Sequence, residues 1–357
     1  MNISYFTNQL LHWYPDNCRE LPWRNTKDPY IIWLSEIILQ QTRVAQGLPY
    51  FSLFLERFPS VQDLASAPEE EILRCWQGLG YYSRARNLHA CAKSIVQEHG
   101  GDFPQSYREL LSLKGVGPYT AAAIASFAFG QQVAVVDGNV FRVLGRYFGI
   151  EDDIGSSGGK KVFEKLANQL IPEDNPDIYN QAIMEFGALQ CVPKNPDCNS
   201  CPLQPTCFAF SNRAVEKFPV KAGKTKTRKR FFQYFHIQCG KEVVINKRTG
   251  NDIWMGLVDF PLEEHTEGMG QDPDSSSLIE ELKTLNPKVN FPNQKPYKHI
   301  LSHQVLIAGF VNVGVDPIYR NELTYWVEKN GYSLVGEDQL ETYGKPKLIV
   351  NYLNDQK

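Results

Sequence analysis

The sequence has no apolar run that approaches the ~18 residues needed to cross a bilayer, so a transmembrane helix is not expected. Its first residues, MNISYFTNQLLHWYPD, have neither a basic start nor a small-residue cleavage site, and they do not indicate a signal peptide. Charge of either sign is not in excess either. The net charge of −3 argues against a polycation that coats nucleic acid indiscriminately. We therefore expect a cytoplasmic protein that does not bind membranes, and any nucleic-acid binding must be local.

The length of 357 residues favours two domains, and 42% apolar with 22% charged residues is typical of a globular protein. Residues 1–212 show helical periodicity with short breaks, and Asp28 followed by Pro29 is a helix-start signal. Further helices are predicted at 61–76, 84–99, 105–112, 118–129, 139–147, 159–170 and 176–189. Later, FFQYFHIQC, EVVIN and HQVLIAGFVNVGV have the composition of strands. The sequence predicts an all-α domain over 1–212, a basic linker over 213–230 and a smaller α+β domain over 231–357.

One segment near the predicted boundary is strongly basic. KFPVKAGKTKTRKR, residues 217–230, carries seven Lys or Arg residues and no acidic residue. Such a segment is either a solvated linker or a stretch that follows a phosphate backbone. The sequence leaves both interpretations open.

Half of the eight cysteines fall within one short stretch, in the pattern C-x6-C-x2-C-x5-C, at Cys191, Cys198, Cys201 and Cys207. Nothing in the sequence suggests the oxidising compartment that two disulfides would need. Four thiolates in one loop could hold an iron–sulfur cluster or a zinc ion. Zinc sites usually contain two C-x2-C pairs further apart, so the wide spacing favours a [4Fe–4S] cluster.

Three further features of the sequence could take part in binding or catalysis. In LKGVGPYT, residues 113–120, Gly115 and Gly117 precede a helix and would allow the backbone N–H groups of a turn to face a phosphate. Asp137 follows an apolar run and begins another helix, which is typical of an N-cap or of a carboxylate positioned for a functional role. Glu36 lies among apolar residues of a helix, where desolvation would raise the pKa of its carboxyl unless it reaches solvent.

These stretches together resemble the helix-hairpin-helix DNA glycosylases that carry an iron–sulfur loop, a family that includes endonuclease III and the MutY-type adenine glycosylases. The resemblance is carried by SEIILQQT (35–42), GLGYYSRARNL (78–88), LKGVGPYT (113–120), VDGNVFRV (136–143) and the cysteine loop 191–207. It implies a monomeric enzyme with a [4Fe–4S] cluster that flips a nucleotide out of double-stranded DNA and hydrolyses its glycosidic bond.

The resemblance also implies the roles of the central residues. Glu36 would be the general acid that protonates the base, and Asp137 would stabilise the oxocarbenium sugar. Tyr119 and Asn139 would hydrogen-bond to these carboxyls and the sugar. Lyase members of the family have a lysine at the position of Tyr119, and a phenol cannot form an imine. We therefore expect a monofunctional enzyme.

Other positions would contact DNA by the same resemblance. The residues expected to line the adenine pocket are Trp23, Arg24, Leu39 and Gln181. Those expected to enter the base stack or contact the partner base are Gln41, Thr42, Leu79 and Tyr81, although core packing would explain a leucine or tyrosine equally well. Arg84 and Arg86 would hold phosphate.

The second domain resembles the Nudix-related domain of MutY-type enzymes. IWMGLVDFPLEE, 253–264, matches a family segment but has Asp259 where glutamate is common. No Glu-rich Nudix box follows, so we expect a domain that reads DNA and does not hydrolyse nucleotides. Ser302 and His303 match a loop that contacts 8-oxoguanine, and Leu301 replaces its phenylalanine. A surface turn is the alternative interpretation of these residues.

The predicted function is excision of adenine opposite 8-oxoguanine or guanine in base excision repair. One alternative is an endonuclease III-like pyrimidine-damage glycosylase with lyase activity, which Tyr119 argues against. Another is a non-catalytic iron–sulfur protein that binds mismatches, which the presence of both Glu36 and Asp137 argues against.

Overall fold

The computed structural model describes residues 3–223, 227–266, 268, 276–291 and 295–356. The chain divides into two compact units, here called the helical unit and the sheet unit. The helical unit comprises Met1–Ser66 and Asn87–Gly223, and the sheet unit comprises Ala67–Arg86 and Lys224–Lys357. Among the described residues, no helix combines the length and apolarity needed to cross a membrane.

The first two thirds of the chain are helical, as the sequence predicts. The helices are α1 Ile3–Asn17, α2 Pro29–Leu39, α3 Val44–Arg57, α4 Val61–Ser66, α5 Glu69–Cys75, α6 Ser83–His99, α7 Tyr107–Ser112, α8 Pro118–Phe129, α9 Gly138–Phe148, α10 Ser157–Leu170, α11 Pro176–Leu189 and α12 Phe208–Ser211. The predicted start of α2 is confirmed because the Asp28 carboxylate accepts the Tyr30 N–H at 2.8 Å. The single helix predicted over 61–76 is wrong. Pro68 separates α4 from α5, since proline restricts the preceding residue to extended backbone.

The core of the helical unit holds two functional segments in place. Helices α1, α9, α10 and α11 contribute buried apolar side chains to one cluster, which includes Phe6, Val143, Phe163 and Phe186. Helix α9 begins immediately after Asp137, and α11 ends just before the cysteine loop. Packing of α9 against α11 therefore fixes the positions of Asp137 and of the start of the cysteine loop.

The sheet unit is built on a mixed sheet. Its strands are β1 Arg228–Cys239, β2 Glu242–Lys247, β3 Val258–Asp259, β4 Leu262–His265, β5 Lys288–Asn290, β6 Tyr297–Ile300, β7 Gln304–Val315 and β8 Ser333–Gly336. The long strands β1 and β7 pair in parallel from Arg228 opposite Gln304 to Cys239 opposite Val315. Helices α13 Ser277–Leu282, α14 Arg320–Lys329 and α15 Lys347–Asp355 complete the unit. The strands predicted from the three long apolar patterns are confirmed as β1, β2 and β7.

The end of the basic segment is part of the sheet. Residues 224–226 lie outside the described residues, but Arg228–Arg230 are the first three residues of β1. Arg230 is only 6% exposed, and its guanidinium pairs with Asp252 at 2.7 Å and Glu264 at 2.6 Å. A guanidinium held by two carboxylates contributes to folding and has no free face for phosphate.

His236 on β1 is a neutral histidine in the core of the sheet unit. Its side chain is 8% exposed, stacks on Phe260 with ring centroids 4.6 Å apart, and has Nδ1 within 3.0 Å of Tyr352 Oη. Burial lowers the pKa of His236 to about 4, and the nearby Glu337 carboxylate opposes this effect only partly. Protonation of His236 is therefore coupled to unfolding.

Replacing His236 with Gln should make the free energy of unfolding depend less on pH under acidic conditions. The pKa of His236 is lower in the folded than in the unfolded chain, so its contribution is complete above about pH 6.5 and is lost as the pH falls towards 4. Each pH unit in that window should remove about 1.4 kcal/mol of unfolding free energy. Chemical denaturation at several pH values should give a steeper slope for the wild type than for His236→Gln. Equal slopes would contradict this account.

Candidate active site

Glu36 is a buried carboxyl of the helical unit. It lies on α2, whose residues from Tyr30 to Ile38 are almost all buried, and it is itself 7% exposed. Burial, and to a smaller extent the negative charge of Asp137, raise the pKa of Glu36, which lies at about 7. A hydrogen bond from Tyr119 and the positive charge of Arg24 act in the opposite direction. The carboxyl can therefore both hold and release a proton near neutral pH.

Tyr119 contacts Glu36 directly. Its phenol Oη donates a hydrogen bond of 2.5 Å to Glu36 Oε2 from the first turn of α8. Burial, the Glu36 carboxyl and Asp137 together raise the pKa of Tyr119 well above its ordinary value. The phenol consequently remains a proton donor, and it fixes one of the two oxygens of Glu36.

Asp137 is both an N-cap and a member of this group. Its Oδ1 accepts the Val140 N–H at 2.8 Å, and its Oδ2 accepts Asn139 Nδ2 at 2.7 Å. Burial raises the pKa of Asp137, whereas these hydrogen bonds and the positive charge of Arg142 lower it. The two interpretations of Asp137 from sequence are thus compatible, because the cap holds the carboxylate near Glu36.

Arg142 links this group to the cysteine loop, and the sequence analysis did not identify it. Its Nη2 donates to Asn139 Oδ1 at 2.7 Å and to the Gly187 carbonyl at 2.6 Å, while its Nε donates to the Cys191 carbonyl at 2.7 Å. Helices α9 and α11 approach so closely here that a Cβ on Gly187 would lie 2.6 Å from Asn139 Cβ. An arginine three residues after Asn139 was the available signal, but a helical arginine is usually exposed.

Two predicted pocket residues are held by partners that the sequence analysis also missed. Arg24 Nη2 donates to Glu185 at 2.6 Å, and Arg19 forms a second ion pair with the same carboxylate at 2.7 Å. Burial would raise the pKa of Glu185, but the hydrogen bonds from both arginines outweigh it and lower the pKa to about 2. Gln181 is oriented by Tyr14, whose hydroxyl donates to its Oε1 at 2.7 Å.

The remaining predicted pocket residues lie on or beside α2. Trp23 is buried and packs edge-to-face on Phe51 at 5.0 Å. Leu39 ends α2, and its Cδ2 would lie 2.8 Å from a Cβ on Gly47. The ring of Trp23 is thus held by packing, and a residue larger than glycine at position 47 would displace the side chain of Leu39.

Gln41 and Thr42 occupy the turn between α2 and α3. Gln41 is exposed and has a φ of +54°, which is rare for a residue with a side chain. Thr42 is half-buried, and its hydroxyl donates to the Gln40 carbonyl at 3.3 Å. Gln41 is therefore projected away from the helical unit, while Thr42 closes the turn.

The two glycines of the hairpin turn have different requirements. Gly115 has a φ of +78°, and a Cβ there would lie 2.7 Å from Asn87 Cβ, so the fold itself needs glycine. Gly117 has an ordinary φ of −90° and caps α8, and a Cβ there would meet no atom within 4 Å. Glycine at position 117 leaves open space in front of the first N–H groups of α8, where an anion can approach.

Residues 79–86 belong to the sheet unit, and their side chains differ in exposure to solvent. Leu79 is 5% exposed, as a core residue would be, whereas Tyr81 is 48% exposed. The Arg84 guanidinium lies 5.1 Å from the Trp76 ring and 5.6 Å from the Tyr81 ring. Arg86 Nη1 donates to the Met255 carbonyl at 2.6 Å. Both arginines make internal contacts, and their predicted role in holding phosphate stays a prediction.

Ser302 and His303 lie at the edge of a cavity in the sheet unit. The cavity has a volume of about 400 Å³, and the residues lining it include Tyr81, Tyr82, Arg86, Trp254, Ser302 and His303. Tyr81 Oη and Ser302 Oγ are 2.5 Å apart. Two residues separated by 221 positions, to which the same family resemblance gave roles near the partner base, are thus brought together.

The four cysteines of the loop line a single small cavity beside Arg146. Among the described residues, no three His, Cys, Asp or Glu side chains converge closely enough to bind one metal ion. Four thiols that line one cavity are a donor set suited to an iron–sulfur cluster or a zinc ion. Arg146 braces the loop by donating to Cys191 Sγ at 3.4 Å and to the Val192 carbonyl at 2.7 Å.

Comparison with known families finds two matches, one in each part of the chain. Residues 34–172 match the model of the HhH-GPD superfamily of base excision DNA repair proteins. Residues 233–355 match the model of the NUDIX domain. Both matches agree with the predicted fold class, an all-α glycosylase domain followed by a Nudix-like α+β domain.

The curated relatives share one description. An adenine DNA glycosylase of Buchnera aphidicola subsp. Baizongia pistaciae is 36% identical over 343 residues, which cover 94% of each chain. That of Buchnera aphidicola subsp. Schizaphis graminum is 40% identical over 73% of this chain and 76% of its own. The human adenine DNA glycosylase is 44% identical over 80% of this chain and 54% of its own length.

Solved structures match the helical part. A thermostable thymine-DNA glycosylase is 30% identical and superposes with a TM-score of 0.54 over 59% of this chain and 97% of its own. A non-covalent endonuclease III–DNA complex is 25% identical, with a TM-score of 0.52 over 59% of this chain and 96% of that chain.

Replacing Tyr119 with Phe should raise the pKa of Glu36 above its value of about 7, because the phenol hydrogen bond stabilises the carboxylate. The pKa can be measured by following the side-chain carboxyl carbon of Glu36 by NMR in protein labelled with ¹³C-glutamate. Tyr325→Phe, which changes a 71% exposed tyrosine on α14, serves as the control and should leave the titration unchanged. An unchanged or lowered pKa of Glu36 in Tyr119→Phe would overturn the assigned contact.

Proposed function

The chain belongs to the adenine DNA glycosylase family of base excision repair, and on that premise we propose that Glu36 is the acid that releases adenine and that Asp137 stabilises the sugar. The observation that carries this proposal is the buried pair of carboxyls with Tyr119 bonded to one of them. Excision of adenine needs a proton on the departing base, because an unprotonated purine anion is a poor leaving group. Glu36 can supply that proton to N7.

The two carboxyls have different proposed roles, acid and anionic carboxylate, because their surroundings differ. Glu36 has a pKa of about 7 and shares its site with one donor, the phenol of Tyr119. Asp137 accepts hydrogen bonds from both Val140 and Asn139, which favour its ionised form. Burial raises the pKa of Asp137 as well, but its two hydrogen-bond donors make it the better site for a negative charge, so we assign the proton to Glu36 and the charge to Asp137. An acid and a nearby carboxylate in these states suit the formation of an oxocarbenium ion.

The same geometry argues for hydrolysis without strand cleavage. A target base inside a duplex is out of reach of Glu36, so the nucleotide must be flipped out of the stack. The residue closest to Glu36 on the hairpin helix is Tyr119, whose phenol cannot condense with the sugar aldehyde. Water activated by Glu36 or Asp137 completes the reaction, and the product is an intact strand with an abasic site.

We assign recognition of the partner base, 8-oxoguanine or guanine, to the cavity of the sheet unit. Ser302 and His303 are exposed at its edge, next to the exposed ring of Tyr81. Nucleotide hydrolysis by this unit is disfavoured. The carboxylate of Asp259 is 1% exposed and is committed to an ion pair with Arg248 at 2.9 Å.

We further propose that Cys191, Cys198, Cys201 and Cys207 hold a [4Fe–4S] cluster. The cavity that the four thiols share supports this assignment. When bound, the cluster would supply four thiolate–iron bonds that cross-link the loop after α11. Arg146 and Arg142 would keep that loop attached to α9 through its carbonyl groups.

Replacing Glu36 with Gln should abolish excision while the variant still binds the mispaired duplex. The amide preserves size but cannot donate a proton to the base, and loss of a general acid costs about 10²–10⁴ in rate. Single-turnover excision and duplex affinity should be measured on the same preparations. Glu98→Gln, which changes an exposed glutamate on α6, is the matched control. Substantial excision by Glu36→Gln would mean that the acid lies elsewhere.

A duplex with one adenine opposite 8-oxoguanine separates the candidate activities. Strand scission only after alkali is expected, because the product is an abasic site without lyase cleavage. Scission without alkali would support a lyase, and binding without scission would support a non-catalytic sensor. A parallel duplex with a damaged pyrimidine should remain uncut.

Purified protein should contain about four iron and four sulfide per chain. Cys198→Ala should lose most of this iron, and Arg146→Met should lose part of it because the loop carbonyls are no longer held. Cys18→Ala, which removes a thiol outside the loop, should keep the wild-type content. Stoichiometric zinc without sulfide would refute the cluster.

A further inference from the structure

The segment that connects α8 to α9, residues 131–137, forms neither helix nor strand and is here called the linking segment. Ala134 and Val135 within it are buried. A buried backbone N–H or carbonyl group needs a hydrogen-bond partner. Three backbone groups of the linking segment have that partner in the side chains of two asparagines, Asn180 on α11 and Asn168 on α10.

Asn180 pairs with the linking segment as a neighbouring strand would. Its Oδ1 accepts the Val135 N–H at 3.0 Å, and its Nδ2 donates to the Val133 carbonyl at 2.9 Å. In an extended chain, the carbonyl of one residue and the N–H two positions later point to the same side. The amide has only one suitable orientation, because a flipped amide would set donor against donor and acceptor against acceptor. The two bonds therefore fix the position and the register of the segment.

Asn180 also joins the linking segment to α8. Its Nδ2 donates a second hydrogen bond to Ser126 Oγ at 2.9 Å, and both side chains are buried. Ser126 lies about two helical turns after Tyr119, so the two residues lie on the same side of α8. Both protons and the carbonyl oxygen of the Asn180 amide are thus used for contacts with α8 and with the linking segment.

The opposite side of the linking segment is held by Asn168. Its Oδ1 accepts the Ala134 N–H at 3.1 Å, and its Nδ2 donates to the Glu164 carbonyl, one turn earlier on α10, at 2.8 Å. Asn168 is exposed, whereas Asn180 is buried. The linking segment is therefore held from two sides by α10 and α11.

These bonds give Asp137 a connection that its own contacts do not provide. The Asp137 carboxylate accepts hydrogen bonds from two groups of α9, which fix it relative to that helix. Its electrostatic effect on a sugar cation depends on distance, so Asp137 must also be fixed relative to Glu36 and Tyr119. Asn180 supplies this connection, because it binds the backbone of Val135, two residues before Asp137, to the helix that carries Tyr119.

We infer that Asn180 is a positioning residue that holds Asp137 in place relative to Glu36 and Tyr119. This inference rests on the proposed role of Asp137 in stabilising the sugar cation. Asn180 acts through the backbone of the linking segment and does not touch the reacting atoms. Asn168 supports the same segment from the opposite side with a single bond.

Replacing Asn180 with Asp tests this inference, because the new side chain keeps its size and an acceptor for the Val135 N–H. Ser126 can turn its hydroxyl to donate, but an ionised carboxylate cannot donate to the Val133 carbonyl. At alkaline pH, the single-turnover rate of adenine excision opposite 8-oxoguanine, with enzyme in excess, should fall about 10–100-fold. Duplex affinity should be unchanged, because Asp137 is proposed to stabilise the transition state.

Excision by Asn180→Asp should recover when the pH is lowered. A protonated aspartic acid is again a donor to the Val133 carbonyl, so the ratio of the variant rate to the wild-type rate should rise. The ratio removes the titration of Glu36, which both proteins share. Partial unfolding would instead lower the fraction of duplex that reacts and leave the rate constant of the remainder unchanged. Asn8→Asp, at an exposed position of α1, is the matched control and should keep the wild-type rate at every pH.

Asn168→Ala is a second variant, which should fold because the residue is exposed. It removes the bond to the Ala134 N–H, and the excision rate should fall about fivefold, as expected for one lost hydrogen bond. A slow Asn180→Asp whose ratio to the wild type does not change with pH would overturn the inference. If Asn180→Asp does not fold, a wild-type rate in Asn168→Ala would overturn it.

Asp137→Asn separates this inference from the proposed function. The amide keeps an acceptor for the cap of α9 but has no charge, so excision should be lost. Wild-type excision by Asp137→Asn would refute the proposed role of Asp137. Loss of excision by Asp137→Asn, together with a wild-type rate of Asn180→Asp at alkaline pH, would refute the inference about Asn180 alone.

Discussion

The burial of one carboxyl, Glu36, is the constraint on which the helical unit depends. Moving its pKa from 4.5 to about 7 corresponds to about 3 kcal/mol of differential stabilisation of the protonated form. Tyr119 limits this shift by donating to one oxygen, so the proton is retained at neutral pH but not held irreversibly. A fully solvated glutamate would be ionised, and a glutamate buried without a donor would release its proton too reluctantly.

A chain of hydrogen bonds next to the carboxyls restricts the orientation of each side chain in it. Asn139 lies between Asp137 and Arg142, and Arg142 in turn contacts the carbonyl of Cys191. Each group therefore has its orientation fixed by the next, which is how a site is kept preorganised before a substrate arrives. The ion pairs at Glu185 do the same for Arg24 on the other side.

Much of this architecture could be predicted from local sequence. Helix starts such as Asp28–Pro29 and the long apolar strands follow from propensity and patterning over a few neighbouring residues. Strands such as β3, with two residues, have no pattern to detect and exist only because a neighbouring strand is present. The contacts of Arg142 and Glu185 could not be predicted either, because they depend on the tertiary structure. From sequence alone, a charged side chain in a helix ordinarily indicates a solvent-exposed face. The contact between Tyr81 and Ser302 joins residues too distant in sequence for any local rule.

The parallel pairing of β1 and β7 has a consequence for how the chain tolerates change in length. Arg228 opens β1 opposite Gln304, and its N–H reaches the carbonyl of His303. A slip of one residue in β1 would turn its inward side chains outward and would also remove the support of the serine turn. Insertions or deletions between the two units should therefore be tolerated before Arg228, whereas a change of length within β1 would displace the turn between β6 and β7 even if the sheet unit remained folded.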